Sequence, residues 1–204
     1  MAHTIEVERK RELPDDGSIL TPRLTQLGYI ASAPMTEVDT YYSRPDVDYM
    51  LTVECLRIRH RGNFAEITYK PASTPTTHAH DHVISKVETN VILSEGEQAR
   101  TAERLLISIG MREIVRVEKT RTTYTHPETP GVTVSIDAVN GAGTFVETEV
   151  NRPTSDGATE IIEHIESQLE IVGYPTVSLP YRDLVLRSRE SPIVAEPISE
   201  PYAG

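Results

Sequence analysis

Apolar and charged positions alternate along residues 5–13, IEVERKREL. Ile5 and Val7 fall on one side of an extended chain, and Glu6, Glu8 and Lys10 on the other. The same period of two recurs further on. In CLRIRHR (55–61) Arg57, Arg59 and Arg61 share a side, and in AEITYK (65–70) Glu66, Thr68 and Lys70 do. VEKTRTT (117–123) puts Lys119 with Arg121, VSIDAV (134–139) sets Asp137 opposite Ile136, and FVETEV (145–150) aligns Glu147 with Glu149. Strands are predicted near 3–12, 37–43, 49–60, 63–70, 83–93, 112–126, 131–138 and 143–151. Gly62-Asn63 and the Asn-Gly-Ala-Gly run at 140–143 read as hairpin turns, so the strands they join run antiparallel.

A period near 3.6 interrupts the strands. Residues 94–110 open with Ser94 and Glu97 at capping-box spacing, present Ala102, Leu105, Leu106 and Ile109 on one face, and stop at Gly110. A second helix is expected over 156–172, with Ile161, Ile162, Ile165 and Leu169 on its apolar face, and shorter ones over 17–28 and 180–187. The Pro-rich acidic run 188–204 has no periodicity and is predicted to be a disordered or loosely attached tail. The fold unit is then one domain over 1–187.

The composition, 38% hydrophobic and 25% charged, is that of a globular domain. With no apolar run of membrane-spanning length and no signal-like segment at the start, a cytoplasmic protein without membrane contact is expected. Cys55 is the only cysteine, which rules out an intramolecular disulfide; its setting, VECLRIR, reads as a strand core. The net charge of −11 argues against a nucleic-acid surface, which needs a basic stripe. It leaves room for a phosphate ligand held through a divalent cation.

One wet face of an antiparallel sheet would explain a single alternating strand. Here, however, basic residues dominate some strands and acidic residues others. About eight strands can also close into a barrel, turning that common face into a lumen. Carboxylates of Glu6, Glu8, Asp137, Glu147 and Glu149 would supply hard oxygen ligands for Mg²⁺ or Mn²⁺. Lys10, Arg57, Arg59, Lys70, Lys119 and Arg121 would bind non-bridging phosphate oxygens, a set too large for a monophosphate.

These residues resemble the CYTH, or triphosphate tunnel metalloenzyme, family. The resemblance rests on Glu6-Val-Glu8-Arg-Lys10, followed in order by VDTYY (38–42), LRIR (56–59), TYK (68–70), VEKTR (117–121), SIDAV (135–139) and GTFVETE (143–149). It implies an α+β fold: a closed eight-stranded antiparallel β-barrel with helices packed outside, whose tunnel binds triphosphates with Mg²⁺ or Mn²⁺. By the same motifs, Lys10, Arg57, Arg59, Lys70, Lys119 and Arg121 would contact the phosphates, with Lys10, Arg59 and Lys119 expected to carry catalysis. Glu6, Glu8, Glu147 and Glu149 would hold metal, with Asp137 supporting or joining them. The helix before GMREIVRVEKTR, the GAGTFVETE hairpin and the YRDLVL segment are most similar to the class IV adenylate cyclase branch. The implied reaction is conversion of ATP to cyclic AMP and pyrophosphate. The alternative is a triphosphatase acting on inorganic triphosphate, thiamine triphosphate or a nucleoside triphosphate, and a non-catalytic polyphosphate-binding module is a third reading. The expected partner is the small triphosphate itself, with a homodimer as a further candidate assembly. One departure is that relatives often carry Arg-x-Glu-x-Glu where this chain reads Lys86-Val-Glu88-Thr-Asn90.

Two other signals carry less. His78-Ala-His-Asp-His82 resembles the HxHxDH run of metallo-β-lactamase hydrolases but is one residue short, and its Pro- and Thr-rich flank reads as a loop rather than a zinc site. Tyr41 and Tyr42 read as packing residues.

Overall fold

A computed structural model describes residues 5–74, 77 and 83–190. The His78–His82 run and most of the predicted tail lie outside the described residues. The chain forms β1 (Ile5–Glu12), α1 (Leu20–Gln26), β2 (Ile30–Ala31), β3 (Met35–Ser43), β4 (Cys55–Arg61), β5 (Phe64–Lys70), β6 (Ile84–Val87) and β7 (Thr89–Leu93). It continues with α2 (Gly96–Ser108), β8 (Arg112–Thr125), β9 (Val132–Val139), β10 (Gly143–Arg152), α3 (Ala158–Gln168) and α4 (Tyr181–Glu190). No helix among the described residues is long and apolar enough to cross a membrane.

The strands follow one another in the order β6-β1-β10-β9-β8-β3-β4-β5-β7, with β2 paired to β8 alone. Every pairing is antiparallel. The predicted strand 83–93 closes this ring by breaking at Glu88. Its first half pairs with β1, Glu6 opposite Lys86, and its second half pairs with β5, Thr68 opposite Asn90. One continuous stretch thus joins both ends of the sheet, and the expected eight-stranded barrel becomes a nearly closed one with nine strands in the ring.

The hairpins form where the turn chemistry places them. Arg61 pairs with Phe64 across Gly62-Asn63, and Gly62 takes a φ of +57°, which only glycine adopts without cost at the first position of such a tight turn. The expected strand 49–60 begins instead at Cys55. Asp48 turns the chain before it, accepting the Met50 N–H on its side chain at 2.8 Å and the Thr52 N–H on its carbonyl at 3.1 Å. Val53 then sits at φ +54°, which no strand permits. On α2 the cap also shifts by one: the Gln98 side chain, not Glu97, reaches back to the N–H of Glu95 at 3.4 Å.

Most of the hydrophobic core lies outside the barrel. Val7, Val134, Ile136, Val146 and Val150 point away from the lumen and pack with Leu20 and Leu24 of α1 and with Ile162 and Ile165 of α3. A second cluster sets Tyr42, Ile58 and Ala65 against Ala99 and Ala102 of α2. The alternation is inverted because helices cover the outer face, so the apolar half of each strand must face outward. Ile162→Ala, at a position with no exposed surface, is expected to cost about 2–5 kcal/mol, read as a lowered urea midpoint at unchanged slope. The third cluster joins Tyr41, Val115, Val117, Val139 and Phe145 to Tyr181 and Val185 of α4. That helix caps one end of the barrel rather than covering its side, and it runs three residues past the expected boundary at 187.

Candidate active site

The inward halves of the strands enclose a cavity of about 260 Å³, lined by Glu6, Glu8, Lys10, Arg57, Arg59 and Lys70 together with Lys119, Arg121, Glu147 and Glu149. Ten of the eleven residues predicted from the sequence thus face one space, and the eleventh, Asp137, lies fully buried behind Lys119 and Arg121. Tyr181 closes the α4 end, its ring against Phe145 at 5.3 Å between centroids.

The five predicted metal-binding carboxylates fall into two groups. Glu6, Glu8 and Glu149 each offer an oxygen within 4.8 Å of the others. Glu8 and Glu149 are direct cross-strand partners on β1 and β10, and Glu6 lies two residues before Glu8 on the same face. Burial, followed by the like charge of Glu8, holds the Glu149 carboxyl above its usual range. Burial raises Glu6 too, against the pull of Lys70. Three carboxylates this close, with hard oxygen donors and no ion pair on Glu8 or Glu149 among the described residues, suit a divalent cation of the Mg²⁺ or Mn²⁺ kind.

Asp137 and Glu147 stand instead among cations. Asp137 accepts from Arg121 Nε at 2.7 Å, Lys119 Nζ at 3.0 Å and the Tyr181 hydroxyl at 2.9 Å. Glu147 pairs with Arg121 and lies 3.9 Å from Lys10. Burial would raise both carboxyls, but Lys119 and Arg121 hold Asp137 below its usual value, and Arg121, Lys119 and Lys10 hold Glu147 well below.

Two carboxylates absent from the predicted set belong to the site. Asp39 grips Arg59 with both oxygens, at 2.6 and 2.7 Å. Glu37 meets Arg61 at 2.7 Å, Arg59 at 3.2 Å and Lys119 at 3.4 Å. Both are 1% exposed. The period-of-two test finds them in EVDTYYS (37–43), where Glu37, Asp39 and Tyr41 share a side. Tyr42 packs outside with α2 as read, whereas Tyr41 lines the lumen and points its hydroxyl at Asp39, 3.4 Å away. Tyr181 and Glu88 were likewise outside the predicted set; Glu88 lines the cavity and meets Lys70 at 2.7 Å.

These pairings rank the cations. Arg59, Lys119 and Arg121 are locked by buried carboxylates. Arg57 reaches Asp39 only at 3.5 Å, and its Nε is buried without a hydrogen-bond partner. Lys10 has Glu147 at 3.9 Å and the Tyr181 ring at 4.2 Å. Arg57 and Lys10 therefore hold the donors least committed within the protein and most open to an anionic ligand.

The opposite shifts fix how the metal-free protein responds to pH. Asp39, Glu37, Asp137 and Glu147, held low, contribute stability above the ordinary carboxylate range that is lost as pH falls through their folded values. Glu6 and Glu149, held high, contribute stability below that range that is lost as pH rises through theirs. The rise in melting temperature on adding Mg²⁺ or Mn²⁺ to EDTA-treated protein should therefore grow over the pH interval above the ordinary carboxylate range, as proton competition at Glu6 and Glu149 disappears. A gain that shrinks over that interval would contradict the assignment of these carboxylates.

The fold recurs in known proteins. The CYTH domain model matches residues 4–181. A Methanocaldococcus jannaschii protein named "Putative adenylate cyclase MJ0240" is 28% identical over 163 residues, covering 79% of this chain and 85% of its own. The structure of the PH1819 protein from Pyrococcus horikoshii superposes with a TM-score of 0.73 at 28% identity, over 90% of this chain and 99% of that one. A Hippeastrum protein named "Putative adenylyl cyclase HpAC1" and described as having a dominant triphosphatase activity shares the fold with a TM-score of 0.64 at 15% identity, over 90% and 95% of the two chains. With the family model spanning the barrel from residue 4 to Tyr181, the tyrosine that caps it, the protein belongs to the CYTH domain family.

Proposed function

We propose that the protein is a metal-dependent phosphohydrolase acting on a triphosphate chain held inside the barrel. The observation that carries this reading is the lumen itself: three convergent carboxylates face a set of buried Arg and Lys side chains, two of which have donors to spare. The charged side chains line this cavity from both sides, which suits a polyanionic chain rather than a neutral ligand. Glu6, Glu8 and Glu149 would hold Mg²⁺ or Mn²⁺, which when bound would neutralise phosphoryl charge and polarise the phosphorus–oxygen bonds. Arg57 and Lys10 bind non-bridging oxygens. Asp39 and Glu37 keep Arg59 in place, and Asp137 keeps Lys119 and Arg121 in place, so that their charge meets the developing charge without rearrangement. Lys119 itself is held below its usual value by burial and the neighbouring Arg121. In hydrolysis a water oxygen bonds to a terminal phosphorus while the bridging oxygen leaves with the remaining pyrophosphate.

The named relative from Methanocaldococcus jannaschii supports a second reading on the same residues, cyclisation of ATP, in which the 3′-hydroxyl attacks the α-phosphorus and pyrophosphate leaves. A nucleoside would then occupy the open mouth, outside the charged lumen. Incubating the protein with Mn²⁺ and either tripolyphosphate or ATP, and resolving products by ion exchange, separates the readings. Pyrophosphate and phosphate from tripolyphosphate are the expected products. Cyclic AMP from ATP with tripolyphosphate left intact would replace the first reading by the second. Binding of both substrates with no product would make the protein a polyphosphate-binding module.

A further inference from the structure

The metal group has one cationic neighbour of its own. Lys70, at the end of β5, ion-pairs with Glu6 of β1, and its Nζ also lies 2.7 Å from Glu88. Among the described ion pairs, no other tunnel cation is bonded to Glu6, Glu8 or Glu149. Glu88 occupies the break between β6 and β7, so the three side chains meet across the seam where the barrel closes. Burial works against the ammonium there, and the carboxylates of Glu6, Glu8 and Glu88 outweigh it.

We propose that Lys70 is an exchangeable counter-ion: it neutralises the carboxylate group when no divalent cation is present, and yields Glu6 to one that enters. This rests on the reading of Glu6, Glu8 and Glu149 as the metal group. Carboxylates this close cannot all ionise without a cation among them, and a single ammonium supplies one charge where a divalent ion supplies two. Lysine suits the role because its charge rides on a flexible four-carbon stem and can swing without moving the strand. Glu88 belongs to neither the metal group nor the locked Arg set, and it retains hold of the ammonium as Glu6 is given up. A cation freed in this way turns toward the lumen, where it meets the phosphate chain. Metal binding therefore delivers a phosphate contact, and the tunnel gains its full positive charge only after the metal has arrived.

The test measures Mn²⁺ binding to the metal-stripped full chain, without phosphate, by electron paramagnetic resonance of free Mn²⁺. Wild type is compared with Lys70→Met, which removes the charge, and Lys70→Arg, which keeps it. Lys70→Met is expected to bind Mn²⁺ about tenfold or more tightly than wild type, since a unit charge near the site no longer competes, and Lys70→Arg to bind like wild type. Circular dichroism melts show whether each variant is folded; should Lys70→Met fail, Lys70→Gln makes the same charge removal with a polar side chain. Equal or weaker binding by the neutral variants overturns the inference while leaving the metal reading intact. Equally tight binding by Lys70→Arg and Lys70→Met also overturns it. No Mn²⁺ binding by any form overturns the metal reading, and the inference with it.

Discussion

Glu8→Gln is expected to abolish most metal-dependent turnover while leaving the fold at least as stable as the parent's. Glu8 is the middle member of the metal group: Glu149 lies opposite it on β10, and Glu6 is two residues before it on the same face. Unlike Glu6 it makes no ion pair among the described residues, so the amide breaks no salt bridge there and removes like-charge repulsion from a buried cluster. The fold therefore has little to lose. The chemistry has much to lose, because a neutral amide oxygen is a poor substitute for a carboxylate on a hard divalent ion. Losing an outer partner of a metal ligand costs about 10–100-fold in affinity or activity, and losing the ligand should cost at least that much. Turnover of tripolyphosphate measured against Mn²⁺ concentration would show both a lower ceiling and a midpoint shifted to higher metal, with an unchanged or raised urea midpoint. Normal turnover at limiting Mn²⁺ would remove Glu8 from the metal group.

The walls of the tunnel were legible in the sequence because a strand writes its two faces into alternate positions. Glu6, Glu8, Lys10, Arg57, Arg59, Lys70, Lys119, Arg121, Glu147 and Glu149 all follow from that rule plus the inference of closure. Glu37 and Asp39 obey the same rule and differ only in lying on a strand whose paired tyrosines read as packing. Other features have no signature in local periodicity. The break at Glu88 is imposed by the geometry of closure, which sends one stretch of chain to two different partners. The turn at 48–54 is held partly by a residue far along the chain: Arg182, 1% exposed, donates to the Tyr49 carbonyl at 2.6 Å and to the Glu54 carbonyl. Tyr181 begins a helix whose apolar period gives no indication that the helix sits over the barrel's end. Nor does sequence spacing divide five carboxylates into a group open to metal and a pair already neutralised by arginine and lysine. That division depends on the cross-strand partner each carboxylate meets: Asp137 lies opposite Arg121 and Glu147 opposite Lys10, whereas Glu149 lies opposite Glu8.

The division makes its sharpest prediction at Asp137. This carboxylate has no exposed surface and accepts from Lys119, Arg121 and Tyr181 at once. Asp137→Ala leaves Lys119 with Glu37 alone, Arg121 with Glu147 alone and the Tyr181 hydroxyl without its acceptor, and removing one partner from a buried ionic cluster costs about 3–5 kcal/mol. Urea unfolding should register that loss, the largest expected from any single substitution in the lumen. Asp137→Asn, which keeps the shape and one acceptor oxygen, should lose less stability yet still lose activity, since Lys119 and Arg121 are no longer held against their own repulsion. The two lumen variants then part company on metal. Raising Mn²⁺ should recover part of the activity of Glu8→Gln, whose defect is weakened ligation. It should recover none in Asp137→Asn, whose defect is the position of two cations. Recovery of Asp137→Asn by Mn²⁺ would place Asp137 with the metal group after all, and would mean that its bonds to Lys119 and Arg121 give way when the ion binds.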